Sequence, residues 1–232
     1  MFGYFYFDWT MLLILPALII SVWAQIKVSS TFNKYSKVMT RRGMTGADAA
    51  RAILDANGLR SVRVERVRGH LSDHYDPRAN VIRLSESVHD SQSTAAVGVA
   101  AHEAGHAVQY AENYSPIKLR AAIIPVTRFG SMLAMPLFFI GILMASDILM
   151  YGGIILYSAV AVFQLVTLPV EFNASARAVK VLDEKRILAP DELKGAKRVL
   201  SAAAMTYVAA LLTSLLTLLR LLLLAGGRSN RR

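Results

Sequence analysis

The run Ala101-His102-Glu103-Ala104-Gly105-His106-Ala107 sets two histidines four residues apart with a glutamate beside the first. On a helix, side chains at i and i+4 lie one turn apart on the same face. Both imidazoles can then reach one metal ion, and the glutamate can reach a water on it. This is the HExxH spacing of zinc hydrolases, with His102 and His106 as ligands and Glu103 as general base. The neighbours Ala95, Ala96, Val97, Val99, Ala100, Ala104 and Val108 predict a helix that is apolar on most sides. Polar groups in such a helix need partners, and a metal supplies one. With no cysteine and five histidines, thiolate ligation, disulfides and iron-sulfur clusters are excluded. Any metal must be held by His and carboxylates.

A catalytic zinc takes three protein ligands and keeps one open position. A third histidine at 112 with glycine at 109 is excluded, because Gln109 and Glu112 stand there. Among the downstream glutamates, Glu112 points elsewhere on the same helix, and Glu184 and Glu192 sit in charged, solvated stretches. Glu171 is different: it stands at the end of an apolar run, in Leu168-Pro169-Val170-Glu171-Phe172, where an ionisable group is costly without a partner. The expected metal set is one zinc ion on His102, His106 and Glu171. For the oxyanion that peptide hydrolysis develops, the candidate donors are His74, Tyr75 and Arg177. His70 and His89 read as surface loop residues, and Met132, Met135 and Met144 as packing.

Elements that could position these residues follow from local patterns. Ser93 or Thr94 caps a helix over 94–112, and Thr45 with Asp48 forms a capping box for a helix ending near Asn57-Gly58. SVRVERV (61–67) and NVIRL (80–84) read as strands. If NVIRL is the sheet edge beside the active-site helix, a peptide could pair with it by its main chain. Asp76-Pro77-Arg78 is a turn signal, and His74-Tyr75 reads as part of the polar turn before it.

Four apolar runs approach the roughly 20 residues that span a bilayer: about 9–26, 130–146, 150–170 and 200–219. Lys27, Lys34, Lys37, Arg41 and Arg42 follow the first, and only Asp8 precedes it, so the N-terminus is expected outside and the next segment in the cytoplasm. The aromatic start (Phe2, Tyr4, Phe5, Tyr6, Phe7) suits a membrane interface. The second and third runs read as a transmembrane hairpin with its turn at Asp147 and Gly152-Gly153, returning the chain to the side of the histidines. The fourth either spans, which would put Arg228, Arg231 and Arg232 outside, or packs against the hairpin or the membrane surface.

The expected organisation is an anchor (1–26), a cytoplasmic catalytic domain (27–128), a hairpin (129–170), a cytoplasmic helix carrying the third ligand (171–199) and a C-terminal membrane helix with a basic tail (200–232). The net charge of +10 lies between apolar runs, and no RNP, zinc-finger or helix-turn-helix pattern accompanies it, so lipid and not nucleic acid is the expected partner.

Over nearly its whole length the chain resembles the YugP-type neutral zinc metallopeptidases of bacterial membranes. The resemblance is carried by Trp23-Ala24-Gln25, Arg42-Gly43-Met44-Thr45-Gly46, Asp73-His74-Tyr75-Asp76-Pro77-Arg78, the HEAGHA run and Leu168-Pro169-Val170-Glu171-Phe172. More distantly it is similar to HtpX-like proteases, whose third ligand lies in an E-x-x-A-D pattern. Glu171 and Ala174 match that pattern; Ser175 replaces its Asp, and Asn173 stands where YugP-type chains are expected to have Asp. The resemblance implies an α-helical integral membrane protein with a small α/β zincin-like (minigluzincin) domain and about four apolar helices. It implies a multi-pass zinc endopeptidase of the bacterial inner membrane, acting on protein or peptide substrates from the cytoplasmic side. The contrasting readings are a catalytically weak zinc-containing membrane scaffold or chaperone-associated protein, and a transporter. Homo-oligomerisation is left open. The intact Glu103 argues against the scaffold, and the scarcity of ionisable groups inside the runs, beyond Asp147 and Arg220, argues against the transporter.

Overall fold

The structure is a computed structural model that describes residues 9–69 and 72–229. His70, the aromatic start with Asp8, and Arg231 and Arg232 lie outside the described residues. Among the described residues, seven α-helices and three strands follow in order: α1 (Ile14–Tyr35), α2 (Gly46–Ala56), β1 (Arg63–Val67), β2 (His74–Asp76), β3 (Val81–Ser85), α3 (Glu86–His89), α4 (Thr94–Ala111), α5 (Ser115–Leu143), α6 (Asp147–Glu184) and α7 (Pro190–Ser229). The protein is mostly helical, with one small sheet.

The chain divides into two compact units. One comprises Ala24–Leu119 and Leu168–Thr206. Its core packs Ile53 and Leu54 of α2, Ile82 and Leu84 of β3, and Ala96, Ala100, Ala104 and Ala107 of α4 with Ala178 and Leu182 of α6 and Ala196 of α7. The alanines of α4 allow close approach on several sides, and so this helix is buried around most of its circumference. Thr45 caps α2 as expected: its hydroxyl accepts from the Asp48 amide at 3.1 Å, and the Asp48 carboxylate accepts from the Thr45 amide at 3.0 Å.

The sheet has the order β1-β3-β2, with β1 parallel and β2 antiparallel to β3. This corrects two expectations. The NVIRL segment supplies the central strand, Val81–Ser85, buried at every position but Arg83, and not the edge. The segment His74–Asp76 is itself a strand and forms the edge, because pairing with β3 satisfies its backbone and Asp76 is tied to Arg83 at 2.8 Å.

The other unit comprises Met1–Trp23, Arg120–Thr167 and Tyr207–Arg232. Within it Phe138, Met150, Ile154, Leu221 and Ala225 form a cluster, so the fourth apolar run packs against the α5–α6 hairpin. Ser21 and Thr213 share a hydrogen bond of 3.2 Å, and Arg220 Nε donates to Thr10 Oγ1 at 3.1 Å, tying α7 to the first apolar segment. Ile19, Phe129, Met132, Ile148, Ile155 and Leu165 are exposed, as a lipid-facing surface requires. Among the described residues, four helices are long and apolar enough to cross a membrane: Trp9–Tyr35, Ser115–Leu143, Asp147–Glu184 and Pro190–Gly227.

The hairpin turns one step earlier than expected, at Met144–Ser146 with Ala145 at φ 54. Gly152 and Gly153 lie inside α6, where Gly153 permits close contact: a Cβ there would sit 2.6 Å from the Ala134 carbonyl of α5. Helices α2, α4, α5 and α6 all end in the same way. The amide two residues past the cap reaches back to a carbonyl, as in Leu59 to Leu54, Tyr114 to Gln109, Ser146 to Gly141 and Ile187 to Leu182. Three of these ends place Asn113, Ala145 or Arg186 at the left-handed position usually held by glycine, so no glycine marks them in the sequence.

Candidate metal centre

Helix α4 starts where Ser93 Oγ accepts from the Ala96 amide at 3.2 Å, and its register puts His102 and His106 on one face. Their rings meet edge to face with centroids 4.7 Å apart. Both Nε2 atoms face the same oxygen of Glu171 on α6: His102 Nε2 lies 3.2 Å and His106 Nε2 3.6 Å from Oε2. One ligand atom from each of the three residues can be chosen within 4.8 Å of the others. Glu171 is only 2% exposed, so its carboxylate has left water for two imidazoles.

These spacings suit one ion. Tetrahedral zinc with arms of about 2.0–2.1 Å separates its ligand atoms by about 3.3 Å. The observed 3.2 and 3.6 Å fall on either side of that value. The donor set, two imidazoles and a carboxylate, is one that catalytic zinc uses, and Mg²⁺ or Ca²⁺ would favour oxygen.

Each imidazole is held at its far nitrogen as well. His102 Nδ1 lies 3.1 Å from Ser175 Oγ, and His106 Nδ1 lies 3.0 Å from Gln109 Oε1. Glu171 and Ser175 are one turn apart on α6, so one helix face brings both a candidate ligand and a His102 partner. Such outer contacts orient ligand rings and tune their basicity.

Glu103 is nearly buried, and its carboxylate accepts from the Tyr75 amide of β2 at 3.0 Å. The general-base candidate thus sits against the edge strand. The Tyr75 phenol donates to Asn80 Oδ1 at 3.2 Å, and the ring lies 5.6 Å from that of Tyr110. Burial, then the neighbouring Tyr110 and Asp76, raise the Tyr75 pKa, so this phenol stays protonated. His74 is exposed and turns its Nδ1 to the Ser72 carbonyl at 2.8 Å. The Arg177 guanidinium is held by Asn173 Oδ1 at 2.7 Å and by Glu112 at 2.6 Å. The structure therefore brings His102, His106, Glu171 and Glu103 together, and gives the His74, Tyr75 and Arg177 side chains other partners. His89 pairs with Asp90 at the surface.

Gln109 is the residue that sequence reasoning passed over, treating it only as a departure from another motif. Its signal was available: a polar side chain three residues past a candidate ligand histidine, on a helix otherwise apolar there.

Residues 10–226 match the family model described as "Putative neutral zinc metallopeptidase". The chain is 52% identical over 219 residues to "Putative membrane protease YugP" of Bacillus subtilis (strain 168), covering 94% of this chain and 97% of that protein. No solved structure matches.

Proposed function

We propose that this chain, which belongs to the putative neutral zinc metallopeptidase family, is a multi-pass membrane zinc endopeptidase of gluzincin type that hydrolyses peptide bonds near the bilayer. The observation that carries the reading is the meeting of His102, His106 and Glu171 from two helices with the buried Glu103 beside them. His102, His106 and Glu171 would hold one zinc ion. When bound, zinc lowers the pKa of a coordinated water toward 7 and polarises a carbonyl.

The residues supply the rest. Glu103 takes the proton of the attacking water and passes it to the leaving amine. An extended substrate pairs with the outer edge of β2, where the Tyr75 amide already points at Glu103. This arrangement supports a zincin-like catalytic domain. As the developing oxyanion's donor, Tyr75 is favoured over the exposed His74 and the Glu112-paired Arg177: its own amide faces Glu103 and its phenol keeps its proton, but that phenol must leave Asn80 on substrate binding. Lys27 and Lys34 in the C-terminal part of α1, and Lys37 just beyond it, support a cytoplasmic site at the cell membrane.

The test uses full-length protein purified in detergent. Wild type is expected to carry zinc and to cleave an unfolded protein such as casein, and Glu103→Gln is expected to keep the zinc and lose the cleavage. Equal cleavage by both proteins would sink the reading.

A further inference from the structure

The Gln109 amide lies fully buried on the same face of α4 as His106, and its three hydrogen bonds allow one assignment of its atoms. Nε2 is 2.9 Å from the Val170 carbonyl and 2.9 Å from Asn173 Oδ1. A backbone carbonyl only accepts, so the atom facing it must be the NH2 group. Asn173 is pinned as well: the same Oδ1 is 2.7 Å from Arg177 Nε, an obligate donor, and Arg177 is anchored to Glu112. Turning the Asn173 amide would set its NH2 against two donors. Both hydrogens of the Gln109 nitrogen are then used, and Oε1 is left facing His106 Nδ1 at 3.0 Å.

An amide oxygen accepts, so Nδ1 of a neutral His106 carries the proton. Its lone pair is then on Nε2, the atom that faces Glu171. Val170 and Asn173 also lie on either side of Glu171, so the same amide ties α4 to α6 around that carboxylate. His102 offers a contrast within the site. Its partner is the Ser175 hydroxyl, which can donate or accept and so imposes no tautomer.

We propose that Gln109 is a positioning residue that holds His106 in its Nδ1-protonated form and registers Glu171 against it, with Asn173 and Arg177 setting the direction of the Gln109 amide. This rests on the reading of His102, His106 and Glu171 as zinc ligands. A histidine that presents the wrong nitrogen must first lose or move a proton, so the amide pre-organises the ligand.

Two readouts on full-length protein in detergent test this. Two-bond nitrogen–proton correlation spectra of histidine-labelled, metal-free protein, taken above the pH at which His106 becomes neutral, report each tautomer, and chelator competition reports zinc affinity. Wild-type His106 is expected to show the Nδ1-protonated pattern. Gln109→Leu is expected to mix the His106 tautomers, leave His102 unchanged and weaken zinc binding about 10- to 100-fold. Asn173→Asp keeps an acceptor at the key oxygen and is expected to preserve both readouts, whereas Asn173→Leu shifts both in the direction of Gln109→Leu. If Gln109→Leu fails to fold, the Asn173 pair decides. A folded Gln109→Leu, or in its place Asn173→Leu, with wild-type tautomer and affinity would overturn the proposal. If wild type binds no zinc at all, the metal reading fails, and the metal-free spectra still decide the role of Gln109.

Discussion

Gly105 and Ala174 are in backbone contact: a Cβ placed on Gly105 would lie 2.6 Å from the Ala174 carbonyl oxygen. The glycine of the HEAGH run is therefore where α4 and α6 come together. Ala174 follows Glu171 by three residues, so this approach delivers the carboxylate to the histidines. Gly105→Ala must push the helices apart, at about 1–3 kcal/mol by the usual cost of overpacking. With that cost borne by the metal site, zinc affinity is expected to fall about 5- to 150-fold, since about 1.4 kcal/mol is a factor of ten. Chelator competition on a protein with all three candidate ligands intact measures it.

Removing the carboxylate tests the ligand set directly. Glu171→Ala leaves two imidazoles and an open side, and zinc binding is expected to weaken by more than about a hundredfold, because a catalytic site relies on three protein ligands. Equilibrium dialysis with zinc would show an unchanged affinity if another group were the third ligand.

The Ser175 contact predicts a graded effect. Ser175→Ala removes the partner of His102 Nδ1 and is expected to lower zinc affinity about tenfold, within the range for outer contacts. Ser175→Asp replaces a hydroxyl with a carboxylate, makes the imidazole a stronger donor and is expected to raise affinity above wild type. The same competition assay ranks the three proteins.

Zinc binding should also depend on pH. Burial opposes charge on His106, but its hydrogen bond with Glu171 and the charges of Glu103 and Glu171 outweigh it, so the pKa of metal-free His106 lies above the ordinary 6.5. A raised pKa stabilises the metal-free fold below the ordinary value, and that contribution is lost as pH rises through the raised one. Zinc competes with the same proton, so its affinity is expected to climb with pH until His106 is neutral. Calorimetric titrations in buffers of different ionisation heats would reveal the proton released.

The α2 cap offers a test of stability away from the metal. Thr45→Ala removes one half of the Thr45–Asp48 exchange and is expected to cost about 1 kcal/mol, typical of a lost cap. The Asp48 pKa is lowered by the Thr45 amide and then its hydroxyl. Its contribution is present above the ordinary carboxylate value and disappears as pH falls through the lowered one. Thermal unfolding at neutral and acidic pH would show the wild-type advantage shrinking in acid.

Much of the architecture was legible locally. Capping at Thr45 and Ser93, alternation in SVRVERV, the NVIRL run after the Asp76-Pro77-Arg78 turn signal, and apolar runs of bilayer length all express themselves within a few residues or turns. The strand His74–Asp76 was not, because it is held by pairing with β3 and by Arg83, and its own residues resemble a turn. The helix ends at Asn113, Ala145 and Arg186 were hidden for a related reason: the surrounding structure holds ordinary residues at positive φ, where sequence reading looks for glycine.

By itself the sequence determined the His102, Glu103 and His106 set, because i and i+4 spacing on a capped helix fixes their common face without reference to the rest of the chain. It also singled out Glu171, through the cost of a carboxylate at the end of an apolar run. Tertiary structure alone decided that this carboxylate lies within 3.2 Å of His102, that Gln109 and Ser175 hold the far sides of the two rings, and that β2 supplies the edge beside Glu103. These contacts join segments distant in the chain. They depend on how closely α4 and α6 pack at Gly105, which spacing along either helix does not reveal.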